Sequence, residues 1–387
     1  MPQPTHCTNP ECRCYYDPAA RWKIRDGWYH SRCGGAIQRY RCRYCSRRLS
    51  DQSESIHLYA KRRLRLAEIF ARIRGGSSLR DIARSEHCSP TAISGALLRL
   101  GRQSMAAHLR LLCGAPASKR LVFDGLLSCC CSQDYPATIT TVVDGSTEMI
   151  LAMSHGLSER SGRRTAAQQQ RMRAKRRVFR PHRGSLHHSI ALLVHEMARF
   201  IDPSPTTVID TDCHRGYRAL LRDDPVFARL RAARMCRHRT TSSTVARTTA
   251  NPLFAVNLVD RLLRHRMKEH TRETIAFARN ATSQMHRAWI FAFDHNYCQP
   301  HRVASGSPVT RAQRLGISPT VVRSAKRSFF TTRLDMAGVG LPRSIEQVWS
   351  ASLQTPPVRW ICGQSTHGPL IPAYAIRDLT RAYLHAP

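Results

Sequence analysis

The chain has 387 residues, 42% hydrophobic and 22% charged, which allows two or three domains with buried cores and excludes wholesale disorder or a collagen-like or low-complexity form. Its charge is not ordinary: 61 Lys and Arg against 26 Asp and Glu leave a formal net of +35, and only six of the cations are Lys. Arg forks onto phosphate, and so much uncompensated charge opposes folding, so nucleic acid is the expected partner, ahead of an acidic membrane surface. The longest aliphatic runs, such as Ile190–Val194, fall far short of the ~20 residues a spanning helix needs. The first residues lack the basic-then-apolar pattern of a signal peptide. The expectation is a cytoplasmic, nucleoid-associated protein, with no membrane partner. In that reducing setting, clusters among its 15 Cys point to metal before disulfides.

In chain order, residues 1–50 are dense in Cys, Tyr and Arg and read as a small metal-stapled ribbon. Residues 51–115 read as helical: apolar residues from Ile56 to Ile73 keep helical spacing until Gly75-Gly76. From Ser78 to Leu100 the pattern is a helix, a short polar turn and a second helix, which Ser89 caps and Pro90 begins. After Ala115-Pro116 the texture changes to α/β. Leu121–Leu127 predicts a strand, and Ala137–Val143 with Glu148–Met153 predicts a hairpin through Asp144-Gly145. A basic insertion fills about 158–187. Ser189–Ile201 predicts an apolar helix, and 206–212 a second strand with a helix from about Gly216. Phe254–Arg272 and Ser283–Tyr297 predict helices. Residues 116–302 form the expected core domain, and 303–387 give no clear pattern.

Three patterns can carry chemistry. Cys7-x4-Cys12 and Cys42-x2-Cys45, two close pairs 29 residues apart, match a tetrahedral four-thiolate zinc site, structural because no position stays open. Cys14 and Cys33 are spares, and His6 could substitute. The paired helices at 78–100, beside such a ribbon and this charge, point to DNA reading. Thr91, Ser94 and Arg99 would face the bases, and Arg80 and Arg102 the phosphates. Lastly, Asp124 interrupts an apolar strand, Asp212 ends another, and Asp260 lies on the helix of Asn257-Leu-Val-Asp-Arg-Leu-Leu-Arg. Three carboxylates converging from two strands and a helix can bind a pair of Mg2+ or Mn2+ ions for phosphodiester attack. Asp210 is an alternative to Asp212, and a bland i,i+4 pair of Asp260 with Arg264 competes with the metal role. Cys129–Cys131 read as apolar filler, His187, His188 and His295 as scattered, and Trp289, Phe291 and Phe293 as core.

Together these residues resemble the bacterial insertion-sequence transposases of the zinc-ribbon, helix-turn-helix, acidic-triad type. The resemblance starts at Cys7–Cys12 and Ile37–Ser50, and resumes at Leu121-Val-Phe-Asp124 and Val208-Ile-Asp-Thr-Asp212 with Tyr217 following. It is most specific at Asn257–Arg264 with His270–Asn280, and closes at His295–Arg302. It implies a ribonuclease-H-like catalytic core with acids at Asp124, Asp212 and Asp260, and DNA strand cleavage and transfer with Mg2+. It further implies binding to terminal inverted repeats and target DNA, and synapsis suggests at least a homodimer. Two departures stand out: Gly125 where many relatives carry Glu, and Asp260 where many use Glu, which leaves Glu269 and Glu273 as rivals. A DNA-binding regulator with an inactive core, and a nuclease that cuts without rejoining, are the alternative readings.

Overall fold

The computed structural model describes residues 3–357 except 33, 203, 205, 272–273, 275, 303–307 and 335–339. A short helix, α1 (Arg13–Tyr16), precedes three antiparallel strands, β1 (Lys23–Ser31), β2 (Gly35–Cys42) and β3 (Arg48–Ser50), in that order. The pairing slips between Arg25 and Trp28, where Gly27 takes a φ of 76°, a left-handed backbone suited to a bulge. The buried cluster of this unit gathers Cys7, Cys12, Cys14, Trp22, Tyr40, Cys42 and Leu49, and Ile37 of β2 is buried as well. A unit of this size rarely buries enough apolar surface without a staple.

Three helices follow: α2 (Leu66–Arg74), α3 (Leu79–Ser85) and α4 (Pro90–Leu112). Leu66, Ile69, Phe70 and Ile73 form the buried stripe of α2. The helix stops at Gly76 (φ 84°), where any side chain would collide with the Arg266 carbonyl. The hydroxyls of Ser78 and Ser89 accept from the N–H groups of Asp81 (3.1 Å) and Ala92 (3.2 Å), capping α3 and α4, with Pro90 in the first turn. The expected helix-turn-helix segment is present, but its second helix runs for 23 residues.

A five-stranded sheet is built from β4 (Arg120–Cys129), β5 (Pro136–Asp144), β6 (Ile150–Leu157), β7 (Thr207–Asp212) and β8 (Cys236–Thr241), in the order β6-β5-β4-β7-β8. β5 is antiparallel to β4 and β6, whereas β4, β7 and β8 are mutually parallel. Parallel neighbours need crossovers. α5 (Ala166–Arg176) and α6 (Ser185–Met197) lead from β6 to β7, and α7 (Arg215–Asp223) and α8 (Pro225–Ala232) lead from β7 to β8. β8, Cys-Arg-His-Arg-Thr-Thr, escapes the sequence reading because it has no apolar alternation. A cationic strand suits the sheet edge it occupies. Beyond it lie α9 (Phe254–Arg266), α10 (Ala281–Phe293), α11 (Arg311–Leu315), α12 (Pro319–Ser328) and α13 (Arg343–Trp349).

Alternation along the strands gives the sheet two buried faces. Leu121, Phe123, Val142, Leu151 and Ile209 meet Ile190, Leu193, Val194 and Met197 of α6 on one side. Val122, Leu126, Ile139, Val143 and Met153 meet α4, α9, α10 and α13 on the other. All of α10 except Ser283 is buried, and α4 lies along it. From Leu100 to Leu111 every α4 residue but Arg110 is buried. The approach is close: a Cβ on Gly101 would stand 2.6 Å from the His286 side chain. The boundary expected near residue 115 therefore divides the chain without dividing the packing, because α10 needs the second half of α4 as its apolar cover. Buried Asp294 reinforces the junction, pairing with Arg74 of α2 (2.8 Å) and Arg266 of α9 (3.2 Å). Of the C-terminal region, Phe329 stacks on Phe293 with ring centroids 4.1 Å apart and meets Phe70 edge-on. The Ser344 hydroxyl donates to Glu196 at 2.7 Å. Those residues thus brace α2 and α6 against the core. Among the described residues no helix is long and apolar enough to cross a membrane.

Candidate functional site

Two places collect groups that bind ions. In the ribbon, the sulfurs of Cys7, Cys12, Cys42 and Cys45 all lie within 4.8 Å of one another. The Cys7–Cys45 and Cys12–Cys42 separations are 3.5 and 3.8 Å, close to the ~3.8 Å edge of a tetrahedron with Zn–S bonds of about 2.3 Å. The pairs sit on tight backbone. Asn9 N–H points at Cys7 Sγ (3.4 Å), and Ser46 after the second pair has a φ of 57°. Burial pushes the Cys7 thiol upward and Cys12 to about 11. At Cys45 burial also acts upward, but the Arg47 N–H and the neighbouring thiols outweigh it and bring the group down to about 7. These four cysteines can hold a metal ion such as zinc, and the unit is compatible with a zinc ribbon. The spares fall away: Cys14 is buried beside the cluster without joining it, Cys33 lies outside the described residues, and His6 Nδ1 is 3.3 Å from Glu54.

The second place is where β4 and β7 part. Their register pairs Phe123 with Thr211, so Asp124 and Asp212 come next on adjacent parallel strands. α9 buries Val256, Val259, Asp260 and Leu263 on one face, which sets a carboxylate into an otherwise apolar stripe against the sheet. Asp124 accepts the Gly125 N–H at 2.7 Å, and Asp212 that of His214 at 2.9 Å. Asp260 is buried, and its Oδ1 has no hydrogen-bond partner among the described residues. The groups feel one another. Burial lifts Asp124 to about 6, helped by the charge of Asp212 and opposed by the Gly125 N–H, Arg247 and Arg264. Burial and the charge of Asp124 hold Asp260 well above the ordinary carboxylate range. Tyr217 is raised by burial and by the charges of all three acids. The acids do not form a tight knot. Among the described residues the cysteine cluster is the one group of three or more such ligands within 4.8 Å.

The competing acids are otherwise engaged. Asp210 is fully buried between Arg120 (2.7 Å) and Arg239 (2.6 Å). Glu269 pairs with Arg287 at 2.8 Å, and Glu273 lies outside the described residues. No ion pair joins Asp260 to Arg264 among the described residues, and Arg264 Nε is itself buried without a partner. Gly125 also gains a reason: a Cβ there would stand 2.8 Å from Thr138 Cγ2 and 3.1 Å from the Tyr217 hydroxyl. Arg247, Arg264 and the placement of Tyr217 escape the residue-by-residue reading. The signal within reach was the i,i+4 spacing of Asp260 and Arg264, which reads as a surface bridge until the helix face is known to be buried.

The expected DNA-facing residues divide. Arg80 on α3 and Thr91 and Ser94 on α4 are exposed. Arg99 is half-buried and donates to the carbonyls of Ile56 (3.0 Å) and Leu58 (2.8 Å). With Thr91, Lys61 and Arg62 it lines a cavity of about 440 Å³, so the segment near 57–62 leans over the α4 face expected to stand open. Arg102 is a correction. It is buried, donates to the Trp349 carbonyl and lies over the Trp349 ring, because by that point α4 has entered the core. The basic insertion is partly neutralised, Lys175 and Arg171 pairing with Asp134 (2.6 and 3.1 Å) and Arg176 with Glu159 (2.7 Å). Cys130 and Cys131, and Trp289, Phe291 and Phe293, are buried as filler and core. Compared with known proteins, the chain matches no family model and no curated protein.

Proposed function

We propose that the chain is a transposase with a ribonuclease-H-like core, binding element-end DNA and catalysing metal-dependent strand cleavage and transfer. The observation that carries this reading is Asp260: a carboxylate buried on α9, one oxygen without a partner, raised in part by the charge of Asp124 on β4. A buried acid left in that state costs several kcal/mol, which a cation would offset. The mixed five-stranded sheet, with acids on two adjacent parallel strands and a helix, supports the same reading. Asp124, Asp212 and Asp260 would hold Mg2+ or Mn2+, which when bound activates a water or 3′-hydroxyl and stabilises the leaving oxygen. The chain's own part is positional. Gly125 N–H orients Asp124, His214 N–H orients Asp212, and the Tyr217 hydroxyl packs beside Gly125. The four cysteines would hold structural zinc and so fix the ribbon. Arg80, Thr91 and Ser94, on the exposed faces of α3 and α4, would meet terminal inverted repeats, with binding that weakens steeply as salt rises.

The test is cleavage and joining of element-end DNA with Mg2+ or Mn2+ by wild type, Asp124→Ala and Asp260→Ala. Loss of both steps in both variants, with DNA binding retained, is the expected result. Wild type that binds ends and never cuts replaces this reading with a DNA-binding regulator. Cutting without joining replaces it with a nuclease.

A further inference from the structure

Asp260 and Arg264 stand one turn apart on α9, the spacing at which an acid and a guanidinium readily pair. They do not pair: Asp260 Oδ1 and Arg264 Nε are both buried and both lack a hydrogen-bond partner among the described residues. The acid thus keeps one oxygen, and the guanidinium its Nε–H, without a partner. Each orphan is costly by itself, because a buried polar group without a partner loses its hydration and gains nothing. A divalent cation beside the acid together with a phosphate oxygen beside the guanidinium would satisfy both. Arg247 adds to the positive side. It is exposed on the loop after β8, within the electrostatic reach of Asp124 and Asp260. Buried Asn251 pins that loop through Nδ2 bonds to the carbonyls of Val245 (3.3 Å) and Ala246 (2.9 Å).

We infer that Arg264 is a phosphate-binding residue of the acid chamber, holding an oxygen of a phosphate whose other oxygens share a divalent cation with Asp260. This rests on the reading of the chamber as a metal-dependent phosphodiester site, and it assigns the anion half of that site to a particular side chain. Arg is suited to the task because its Nε–H and terminal N–H present a fixed fork to phosphate.

The test is the affinity of the zinc-loaded full chain for Mn2+, read from the free-ion signal in electron paramagnetic resonance, with and without inorganic phosphate. In wild type, phosphate should tighten Mn2+ binding about tenfold or more, the size of one charge-assisted hydrogen bond. In Arg264→Ala the tightening should fall below about twofold, and Arg264→Lys, with charge but no fork, should lie between. Asp260→Asn should weaken Mn2+ binding whether or not phosphate is present. Arg261→Ala, an exposed neighbour on the same helix, should behave as wild type, and thermal melting of each variant checks that it is folded. Equal tightening in wild type and in folded Arg264→Ala or Arg264→Lys overturns the inference, as does a wild type that binds no Mn2+. If Mn2+ and phosphate couple through Arg264 while element-end DNA is never cut or joined, the transposase reading fails and the assignment of Arg264 stands.

Discussion

The ribbon and the acid cluster both gather groups of the kind that bind cations, and they arrange them in opposite ways. In the ribbon four sulfurs close on one point, on knuckles whose backbone N–H groups already face them. In the chamber three acids come from separate elements, remain more widely spaced, and leave one buried oxygen and one buried guanidinium nitrogen unmatched. A closed set of ligands holds a fold together, because nothing else can enter. An open set is destabilising by itself and useful only when something arrives. On the proposed reading, the contrast is the one expected between a structural and a chemical ion site.

The strongest way to break this comparison is to remove metal. Structural zinc contributes roughly 10–16 kcal/mol to folding in small zinc units, and the ribbon's buried cluster is small and includes three of the candidate zinc ligands. Chelation should therefore abolish amide protection in β1–β3 while β4–β8 keep theirs. Hydrogen exchange checks it. Retained protection in the ribbon would mean that its core suffices and that the thiols are not a structural site.

Legibility follows the same division. The cysteine cluster could be read because its ligands come as two short-range pairs, and the caps of α3 and α4 because Ser and Pro act locally. The acids were readable as odd charges in apolar segments. Their setting was not, since the burial of Asp260 depends on α9 lying against a strand more than a hundred residues earlier. β8 was missed because its partner, not its composition, makes it a strand. The entry of α4 into the core was missed because an amphipathic helix looks alike whether it covers DNA or α10. Arg102 fell on the wrong side of that ambiguity.

The chamber can be sharpened by pH. Asp124 titrates near 6 in the folded chain, against an ordinary 3.8. The folded state therefore binds the extra proton, and its stabilising effect is complete below pH ~4 and lost as pH rises through 6. The difference corresponds to about 3 kcal/mol. Without divalent metal, wild type should lose stability relative to Asp124→Asn between pH 4 and 7, and Mg2+ should restore it at pH 7 by favouring the carboxylate. Urea unfolding of both proteins checks it, and a difference independent of pH would sink the burial argument. A smaller effect probes the wall of the same chamber. Gly125→Ala forces a methyl against Thr138 and the Tyr217 hydroxyl and should cost about 1–3 kcal/mol. Tyr217→Phe should recover part of that loss, and a double-mutant cycle by thermal melting measures how much.

The smallest effect separates two arginines that composition treats alike. Arg80 is exposed on α3, and a phosphate contact there would release counterions on binding. Arg80→Ala should then reduce the slope of log affinity against log salt by about 0.9 while leaving the melting temperature unchanged. Arg102 points into the core, where its guanidinium serves the Trp349 carbonyl and ring. Arg102→Met should lower stability by about 1–3 kcal/mol, the cost of an orphaned carbonyl, and leave the salt slope alone. Fluorescence anisotropy on duplex DNA across a salt series, beside melting curves, reads both quantities. Should Arg102→Met change the slope and Arg80→Ala leave it untouched, the face assigned to nucleic acid would have to move from the N-terminal turns of α3 and α4 to the opposite side of the helix layer.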